Sequence, residues 1–186
     1  MGLRPLIRPY DPARDAAALR ALNVAHQDFS RSLEPSWPPG EKVVDDYVAF
    51  LHREVAAHDG AIFMAEADGV MAGFVCVVAA MPPGAPDDPA THAWVHDLFV
   101  LPAYRRRGLA TALLSAAETF VRSLGAREMR LGVIDRNAGA RALYARAGFR
   151  DYVRVLTRPV RADGTTAPPV RDIARRPTLC GRPPAR

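Results

Sequence analysis

The chain has 186 residues, a formal net charge of +5 at neutral pH and 49% hydrophobic residues. A chain of this length and apolar content can bury the core of one domain. It contains no apolar run long enough to cross a bilayer, and its N-terminal segment lacks the apolar stretch of a signal peptide. Cys76 and Cys180 make no disulfide framework, so we expect a cytoplasmic protein that keeps both thiols reduced.

The first part of the chain predicts one strand and two helices. Residues 6–8 form a short apolar strand that ends at a turn, and apolar residues at helical spacing follow from Asp15 to about Phe29. A proline-rich loop then leads to a second predicted helix over residues 41–57. Trp37 lies in this loop and needs a surface to pack against, because it is a large aromatic side chain among polar neighbours.

Two apolar runs flank Asp68-Gly69 and predict a β-hairpin, because this dipeptide favours a tight two-residue turn. A proline-rich loop follows, in which Asp87 and Asp88 either face a cationic ligand or are merely solvated. The next apolar run, residues 93–102, predicts a strand. His96 and Asp97 interrupt this strand, which makes them candidates for a polar function.

An arginine- and glycine-rich turn separates that strand from a helix predicted over residues 111–125. Free N–H groups at a helix start, the helix dipole and a glycine without Cβ together favour a bound phosphate, and arginine adds forked cationic donors. Cations are otherwise unfavourable at a helix N-terminus, which argues against a merely solvated turn. The residues expected to hold the phosphate, mainly through backbone groups, are Arg105, Arg106, Arg107, Gly108, Leu109, Ala110 and Thr111.

A further strand is predicted over residues 127–134, followed by a short helix with Asn137 as its N-cap and glycine at its end. Asn137 and Tyr144 are seven positions apart, about two helical turns, so their side chains can share one side. On this helix alone, packing on the core is the better interpretation of Tyr144. Residues 151–160 predict a last strand. The tail, residues 161–186, is rich in proline and arginine and is expected to extend from the domain.

Two motifs, the arginine- and glycine-rich turn and the short helix that follows Asn137, resemble motifs of the GNAT N-acetyltransferase superfamily in both type and order. The segment from Arg105 to Ala110 is similar to the Q/R-x-x-G-x-G/A acyl-CoA loop. The resemblance covers roughly residues 5–158 and implies a mixed α/β GNAT fold, β-α-α-β-β-β-α-β-α-β, with a splayed central strand. We therefore expect one domain over residues 1–160. The second motif is carried by Asn137, Ala140, Tyr144, Gly148 and Phe149.

The resemblance implies an enzyme that moves an acetyl group from acetyl-CoA to an amine by direct attack in a ternary complex. Tyr144 then protonates the departing thiolate, and Asp97 or His96 takes the proton of the amine. Because side chains alternate along a strand, His96 and Asp97 point to opposite faces unless a bulge intervenes. Asn137 also belongs to the cofactor site. The N–H groups expected to receive the pantetheine arm and the thioester carbonyl are those of Leu98, Phe99 and Val100.

In the resembled fold the first two helices cover the acceptor end, which makes His26, Phe29, Trp37 and Tyr47 candidate acceptor contacts together with Asp97. We expect a small-molecule amine as acceptor. The alternatives are a protein lysine or N-terminal amine, an aminoacyl-tRNA held by the tail, and a non-catalytic acyl-CoA sensor.

The sequence also bears on four other kinds of partner: nucleic acid, a metal ion, a membrane and a second copy of the chain. Nucleic acid is not expected as the main partner, because no aromatic residues lie among the arginines of the tail. No metal is expected, because no cluster of His, Cys and carboxylates has ligand spacing. We expect no membrane partner. The resemblance leaves a homodimer open.

Overall fold

The computed structural model describes residues 6–82 and 91–158. The predictions for Asp87, Asp88, Cys180 and the tail over residues 161–186 lie outside the described residues. The described residues form two compact units, residues 6–131 and residues 132–158.

The described residues of the first unit form five strands and three α-helices, and those of the second unit form one α-helix. The order of these elements and the α/β class with a mixed sheet are confirmed, up to the last strand. The elements are β1 (Leu6–Pro9), α1 (Pro12–Leu33), α2 (Val44–Ala57), β2 (Gly60–Ala67), β3 (Val70–Met81), β4 (His92–Val100), α3 (Leu109–Ser123), β5 (Met129–Leu131) and, in the second unit, α4 (Ala138–Arg146).

The five strands lie in the order β1-β2-β3-β4-β5. β1 to β4 pair antiparallel with their neighbours, whereas β4 and β5 are parallel. The predicted hairpin joins β2 to β3, and Asp68 and Gly69 at its tip have φ of 53° and 75°. Two successive left-handed residues match the right-handed twist of the flanking strands, which explains why this dipeptide forms the turn.

α1 begins earlier than the apolar pattern predicts. Its first residue is Pro12, whose fixed φ suits the first helical position. The Asp11 side chain accepts a hydrogen bond from the Ala13 N–H at 3.0 Å and so caps the helix. Asp15 lies one turn further on, where it pairs with Arg8 of β1 at 2.5 and 2.8 Å. The segment predicted as a turn is therefore the start of the helix.

Both faces of the sheet are covered. α3 packs on one, the α3 face, and α1 and α2 pack on the other, the α1/α2 face. Each face has its own fully buried cluster, which includes Val75, Val77 and Leu113 on the α3 face and Leu19, Leu51 and Phe74 on the α1/α2 face. Within the described ranges, no helix has the length and apolar content needed to span a bilayer.

The last predicted strand is wrong for residues 151–158, which have no strand assignment. Their apolar side chains are largely solvent-exposed, with Tyr152, Val153 and Leu156 at 57, 66 and 67%. An alternating pattern becomes a strand only where a second strand completes the hydrogen-bond ladder. The described part of the second unit contains no other strand, so the pattern alone does not suffice.

Candidate active site

A β-bulge at His96 sets the direction of the two polar side chains of β4. Val95 pairs with Val77 and Asp97 pairs with Cys76, so β4 has one residue more than β3 between these pairs. Regular alternation would put Asp97 on the α3 face with Val95. The extra residue moves Asp97 to the α1/α2 face instead. The alternation expected for a regular strand is therefore interrupted by this bulge, and His96 and Asp97 both face α1 and α2.

Asp97 is 5% exposed and is held through one oxygen. Its Oδ1 accepts a hydrogen bond from the Tyr47 hydroxyl at 3.1 Å. His26 Nδ1 lies 3.3 Å from the same oxygen but is not aligned for a hydrogen bond. Oδ2 is buried without a hydrogen-bond partner among the described residues. Burial raises the pKa of Asp97, and His26 and Tyr47 oppose that shift.

His96 lies beside α2, and its side chain is as buried as that of Asp97. Its side chain is 4% exposed, and Nε2 is 3.5 Å from Glu54 Oε2. The ring meets Phe50 edge-on, with centroids 5.4 Å apart. Burial, with a smaller effect from His58, lowers the pKa of His96 to about 4. His96 is therefore neutral at physiological pH.

β4 continues beyond the strand that pairs with it in parallel. β5 pairs only with residues 93–95 of β4. Leu101 donates its N–H to the Ala72 carbonyl of β3 at 2.8 Å, so alternation directs the N–H groups of Leu98 and Val100 to the opposite edge. By the same alternation the Phe99 N–H points toward β3, and its ring is buried on the α1/α2 face. The N–H groups of Leu98 and Val100 are thus directed to the edge of β4 that faces away from β3, whereas Phe99 contributes only its side chain, on the α1/α2 face.

The turn before α3 exposes backbone donors. Arg106 and Gly108 have φ of 63° and 82°, in the left-handed region. No side chain caps α3, and a Cβ added at Gly108 would meet no atom within 4 Å. The N–H groups of residues 109–111 precede the first helical bond, which Ala112 donates to Gly108 at 3.0 Å. These donors and the open space beside Gly108 fit an anion such as a pyrophosphate.

The three arginines of the turn have different neighbours. The Arg105 guanidinium stacks on Phe29 of α1, and its Nε donates to the Val100 carbonyl at 3.0 Å. Arg107 pairs with Asp68 at 3.0 Å. Within residues 6–82 and 91–158, Arg106 has no ion-pair partner. Arg106 is therefore the cation of this turn that is most available to an anionic ligand.

The aromatic candidates of α1 and of the loop that follows it are both partly buried. Phe29 is half-buried, with its ring 6.4 Å from that of Phe99. Trp37 is half-exposed, and its ring belongs to neither buried cluster. Glu54, beside His96, was not predicted as a site residue. Its spacing of seven from Tyr47 on α2 was the available signal, because such residues share a helix face.

In the second unit, Tyr144 belongs to the structure that ends α4. The Asn137 side chain accepts a hydrogen bond from the Ala140 N–H at 3.1 Å and caps the helix start, as predicted. At the other end Gly148 has φ of 87°, and the Phe149 N–H donates to the Tyr144 carbonyl at 3.0 Å. The rings of Tyr144 and Phe149 pack at 5.8 Å, which completes a Schellman motif with its hydrophobic contact.

No group of three or more His, Cys, Asp or Glu side chains in the described ranges is arranged to hold a metal ion. The candidate site in the first unit instead combines two buried polar side chains on β4, backbone donors on the edge of that strand and a cationic turn at the start of α3. This combination can bind a phosphorylated ligand and accept a proton.

Comparison with known proteins gives consistent results. The model of the Acetyltransferase (GNAT) family matches residues 23–149. The aminoglycoside N(6′)-acetyltransferase type 1 of Salmonella typhimurium is 29% identical over 138 residues, which cover 74% of this chain and 94% of that protein. The N-acetyltransferase YhfO of Bacillus subtilis is 28% identical over 137 residues, which cover 74% of this chain and 85% of that protein.

A solved structure is also similar. It is that of AAC(6′)-Iy in complex with the bisubstrate analogue CoA-S-monomethyl-acetylneamine, and it is 25% identical with a TM-score of 0.64 over 86% of this chain and 100% of that chain. The family match includes the cationic turn, the bulged strand and α4. The chain therefore belongs to the Acetyltransferase (GNAT) family and is an acyl-CoA-dependent N-acetyltransferase.

Proposed function

We propose that this enzyme transfers the acetyl group of acetyl-CoA to a primary amine of a small amino sugar, by direct attack in a ternary complex. The observation that carries this proposal is the unpartnered, buried Oδ2 of Asp97 on the α1/α2 face. An ammonium group is the natural partner of a buried carboxylate oxygen that lacks a hydrogen bond. The N–H groups of Leu98 and Val100, one and three residues further along β4, can receive the donor.

The turn before α3 is proposed to bind the donor through its pyrophosphate. The N–H groups of Leu109, Ala110 and Thr111 and the guanidinium of Arg106 supply the donors, and Gly108 allows close approach. Support comes from AAC(6′)-Iy, which has been solved with CoA and with a CoA-containing bisubstrate analogue. Asn137 is proposed as a further cofactor contact, on the strength of the family motif alone.

The proposed reaction needs a base and an acid. Asp97 takes a proton from the ammonium group, which leaves a neutral amine to attack the acetyl carbonyl. The new bond joins the amine nitrogen to the acetyl carbon, the carbon–sulfur bond breaks, and Tyr144 supplies the proton that makes the leaving thiolate a thiol. The second proton that the nitrogen loses as the amide forms restores the hydroxyl of Tyr144. The amides of Leu98 and Val100 stabilise the oxyanion that forms between these events.

The choice of acceptor rests on the relatives. The Salmonella typhimurium protein and the solved AAC(6′)-Iy are named as aminoglycoside acetyltransferases. The α1/α2 face offers what such a ligand needs, since Asp97 and Glu54 are acidic and Phe29 provides a partly exposed ring. An amino sugar with several ammonium groups fits this mixture of negative charge and aromatic surface.

The test is release of free thiol from acetyl-CoA with paired acceptors. Two aminoglycosides that differ only in an amine or a hydroxyl at the 6′ position are compared, together with a lysine peptide and a charged tRNA. We expect thiol release with the 6′-amine compound and none with its 6′-hydroxyl partner. Thiol release with only the peptide or only the tRNA would show that the acceptor is not a small molecule. Binding of acetyl-CoA without thiol release from any acceptor would favour a sensor.

Two aspartate variants test the base. Asp97→Asn should lower kcat/KM about 100-fold or more, since a positioned base typically contributes about 10²–10⁴-fold, and should leave acetyl-CoA affinity unchanged. Asp46→Asn, an exposed neighbour of Tyr47 on α2, is the matched control and should retain full activity. Equal activity of the two variants would remove Asp97 from the mechanism.

A further inference from the structure

His26 of α1 lies between the buried carboxylate of Asp97 and the solvent. Its Nδ1 is buried, has no hydrogen-bond partner among the described residues and is 3.3 Å from Asp97 Oδ1. The side chain as a whole is 19% exposed, whereas that of Asp97 is 4% exposed. Because Nδ1 is shielded, the exposure of His26 belongs to other atoms of the side chain. One side of this imidazole thus meets the carboxylate, whereas another part of the side chain is open to solvent.

The proposed role of Asp97 creates a need for such a group. A carboxylate that takes a proton from each ammonium group must lose that proton before the next turnover. The oxygen that faces the amine, Oδ2, is enclosed and has no hydrogen-bonded neighbour to carry the proton away. Release from Oδ1 therefore requires a neighbour on that side that can both accept and donate a proton.

The other groups around Oδ1 are poor carriers. Tyr47 already donates its hydrogen bond to Oδ1, and its hydroxyl is held in the protonated form by burial and by the negative charge of Asp97. Cys76, paired with Asp97 across the strands, is fully buried, and burial likewise keeps its thiol protonated. The His26 ring also packs against the rings of Phe74 and Phe99, at centroid distances of 6.3 and 5.4 Å, and neither ring can carry a proton.

We propose that His26 is the proton outlet of this site, which takes the proton from Asp97 Oδ1 on Nδ1 and releases it to water from the exposed side of the ring. The inference rests on the proposed role of Asp97 as base. In the step, the protonated carboxyl group turns about its Cβ–Cγ bond, so that the oxygen that carries the proton takes the Oδ1 place beside His26; its O–H bond then breaks and an N–H bond forms on His26. The carboxylate is restored beside an imidazolium, and loss of a proton from the ring returns His26 to its neutral form. No oxidant, reductant or further reactant is required.

The present misalignment of His26 and Asp97 is compatible with this role. Hydrogen bonds that act in catalysis are often long or bent in the free enzyme and tighten in the ternary complex. When Asp97 is protonated, its hydroxyl becomes a donor and the lone pair of a neutral Nδ1 becomes the acceptor. His26 therefore acts through Asp97 and does not need to touch the acceptor amine.

The experiment compares His26→Ala with Tyr47→Phe in the full-length enzyme, in the thiol-release assay at saturating substrates. We expect His26→Ala to lower kcat about tenfold, within the range of proton-transfer contributions. Added imidazole should then raise the kcat of His26→Ala in proportion to its concentration. It should leave the wild type and Tyr47→Phe unaffected, since both retain His26. Sodium chloride at the same ionic strength controls for salt.

The result distinguishes this inference from the proposal on which it rests. If Asp97→Asn is inactive and His26→Ala has wild-type kcat, or a reduced kcat that imidazole does not restore, the proton outlet is wrong and the base stands. If Asp97→Asn is fully active, the base itself is wrong. Should His26→Ala not fold, His26→Gln serves instead, because it keeps a polar side chain but cannot carry a proton. A kcat for His26→Gln equal to that of the wild type would overturn the outlet.

Discussion

The guanidinium carbon of Arg105 lies 4.3 Å from the centre of the Phe29 ring. Arg105 opens the turn that is proposed to bind the donor, and Phe29 lies on α1, which is proposed to cover the acceptor. The same guanidinium donates to the Val100 carbonyl on the edge of β4. One side chain therefore connects the donor turn, the central strand and the acceptor helix.

We expect Phe29→Leu to raise the KM of the acceptor about two- to fivefold, which corresponds to the roughly 0.5–1 kcal/mol of a partly exposed cation–π contact. Arg105→Lys should have a similar effect because it keeps the charge but loses the planar stacking. The double variant should be little worse than either single variant. Phe120→Leu, which removes an aromatic ring from the α3 face, is the control and should not change the KM. Fully additive effects would contradict a direct coupling.

Gly108→Ala should weaken acetyl-CoA binding more than its effect on folding explains. An alanine forced into left-handed backbone costs about 1–2 kcal/mol, and its Cβ would occupy the open space beside the turn. Gly125→Ala is the matched control, since Gly125 follows α3 with φ of 87° and equally open surroundings. Both variants should lose similar stability in thermal denaturation. Only Gly108→Ala should raise the Kd of acetyl-CoA in calorimetry, and an equal rise in both would argue against an anion site at Gly108.

Tyr144→Phe should lower kcat about tenfold or more and leave acetyl-CoA affinity unchanged, because it removes only the proposed acid. The ring that packs on Phe149 is retained, so the end of α4 and the melting temperature should be preserved. Steady-state kinetics together with calorimetric titration of the donor measure both quantities. An unchanged kcat would assign Tyr144 to packing alone.

Asp15→Asn should destabilise the fold by about 2 kcal/mol at neutral pH, from about 1.4 kcal/mol per unit of pKa shift. The hydrogen bond from Arg8 is the main cause that lowers the pKa of Asp15 from 3.8 to about 2. A pKa that is lower in the folded state stabilises the fold above pH 3.8, and this contribution is lost as the pH falls from about 4 to about 2.

The measurement for Asp15 is urea denaturation of both proteins at pH 7 and pH 3. The difference in the free energy of unfolding between wild type and Asp15→Asn should shrink at the lower pH. Asp45→Asn is the control. Asp45 also pairs with an arginine, but the pair is exposed, so its removal should change stability little at either pH. A difference for Asp15 that is the same at pH 7 and pH 3 would contradict the linkage.

Much of the first unit could be predicted from local signals. Asp68-Gly69 specifies its hairpin because both residues tolerate left-handed backbone, and the apolar spacing of the first two helices records the face that each buries. The end of α4 was predictable for the same reason, since Gly148 adopts a left-handed conformation there. In each case the signal and the structure lie within a few residues of each other.

What the sequence could not predict depends on partners far along the chain. The contact of Arg105 with Phe29 spans two elements that no local pattern connects, and the anchoring of Asp97 by Tyr47 joins residues 50 positions apart. The missing strand over residues 151–158 has the same origin, because alternation describes one strand and not its neighbour. The start of α1 at Pro12 was missed because proline and aspartate favour turns as well as helix starts.

The bulge at His96 means that the chemistry of β4 depends on a count of residues as well as on their identity. Adding one residue to β3 between Cys76 and Val77 would restore regular alternation and turn the carboxylate to the α3 face, while leaving every polar residue of β4 in place. Two relatives with the same residues on β4 could thus differ in activity because of a single insertion on the paired strand β3. Comparison of such chains should therefore count the residues between the paired positions on β3 and β4 before it assigns a common base.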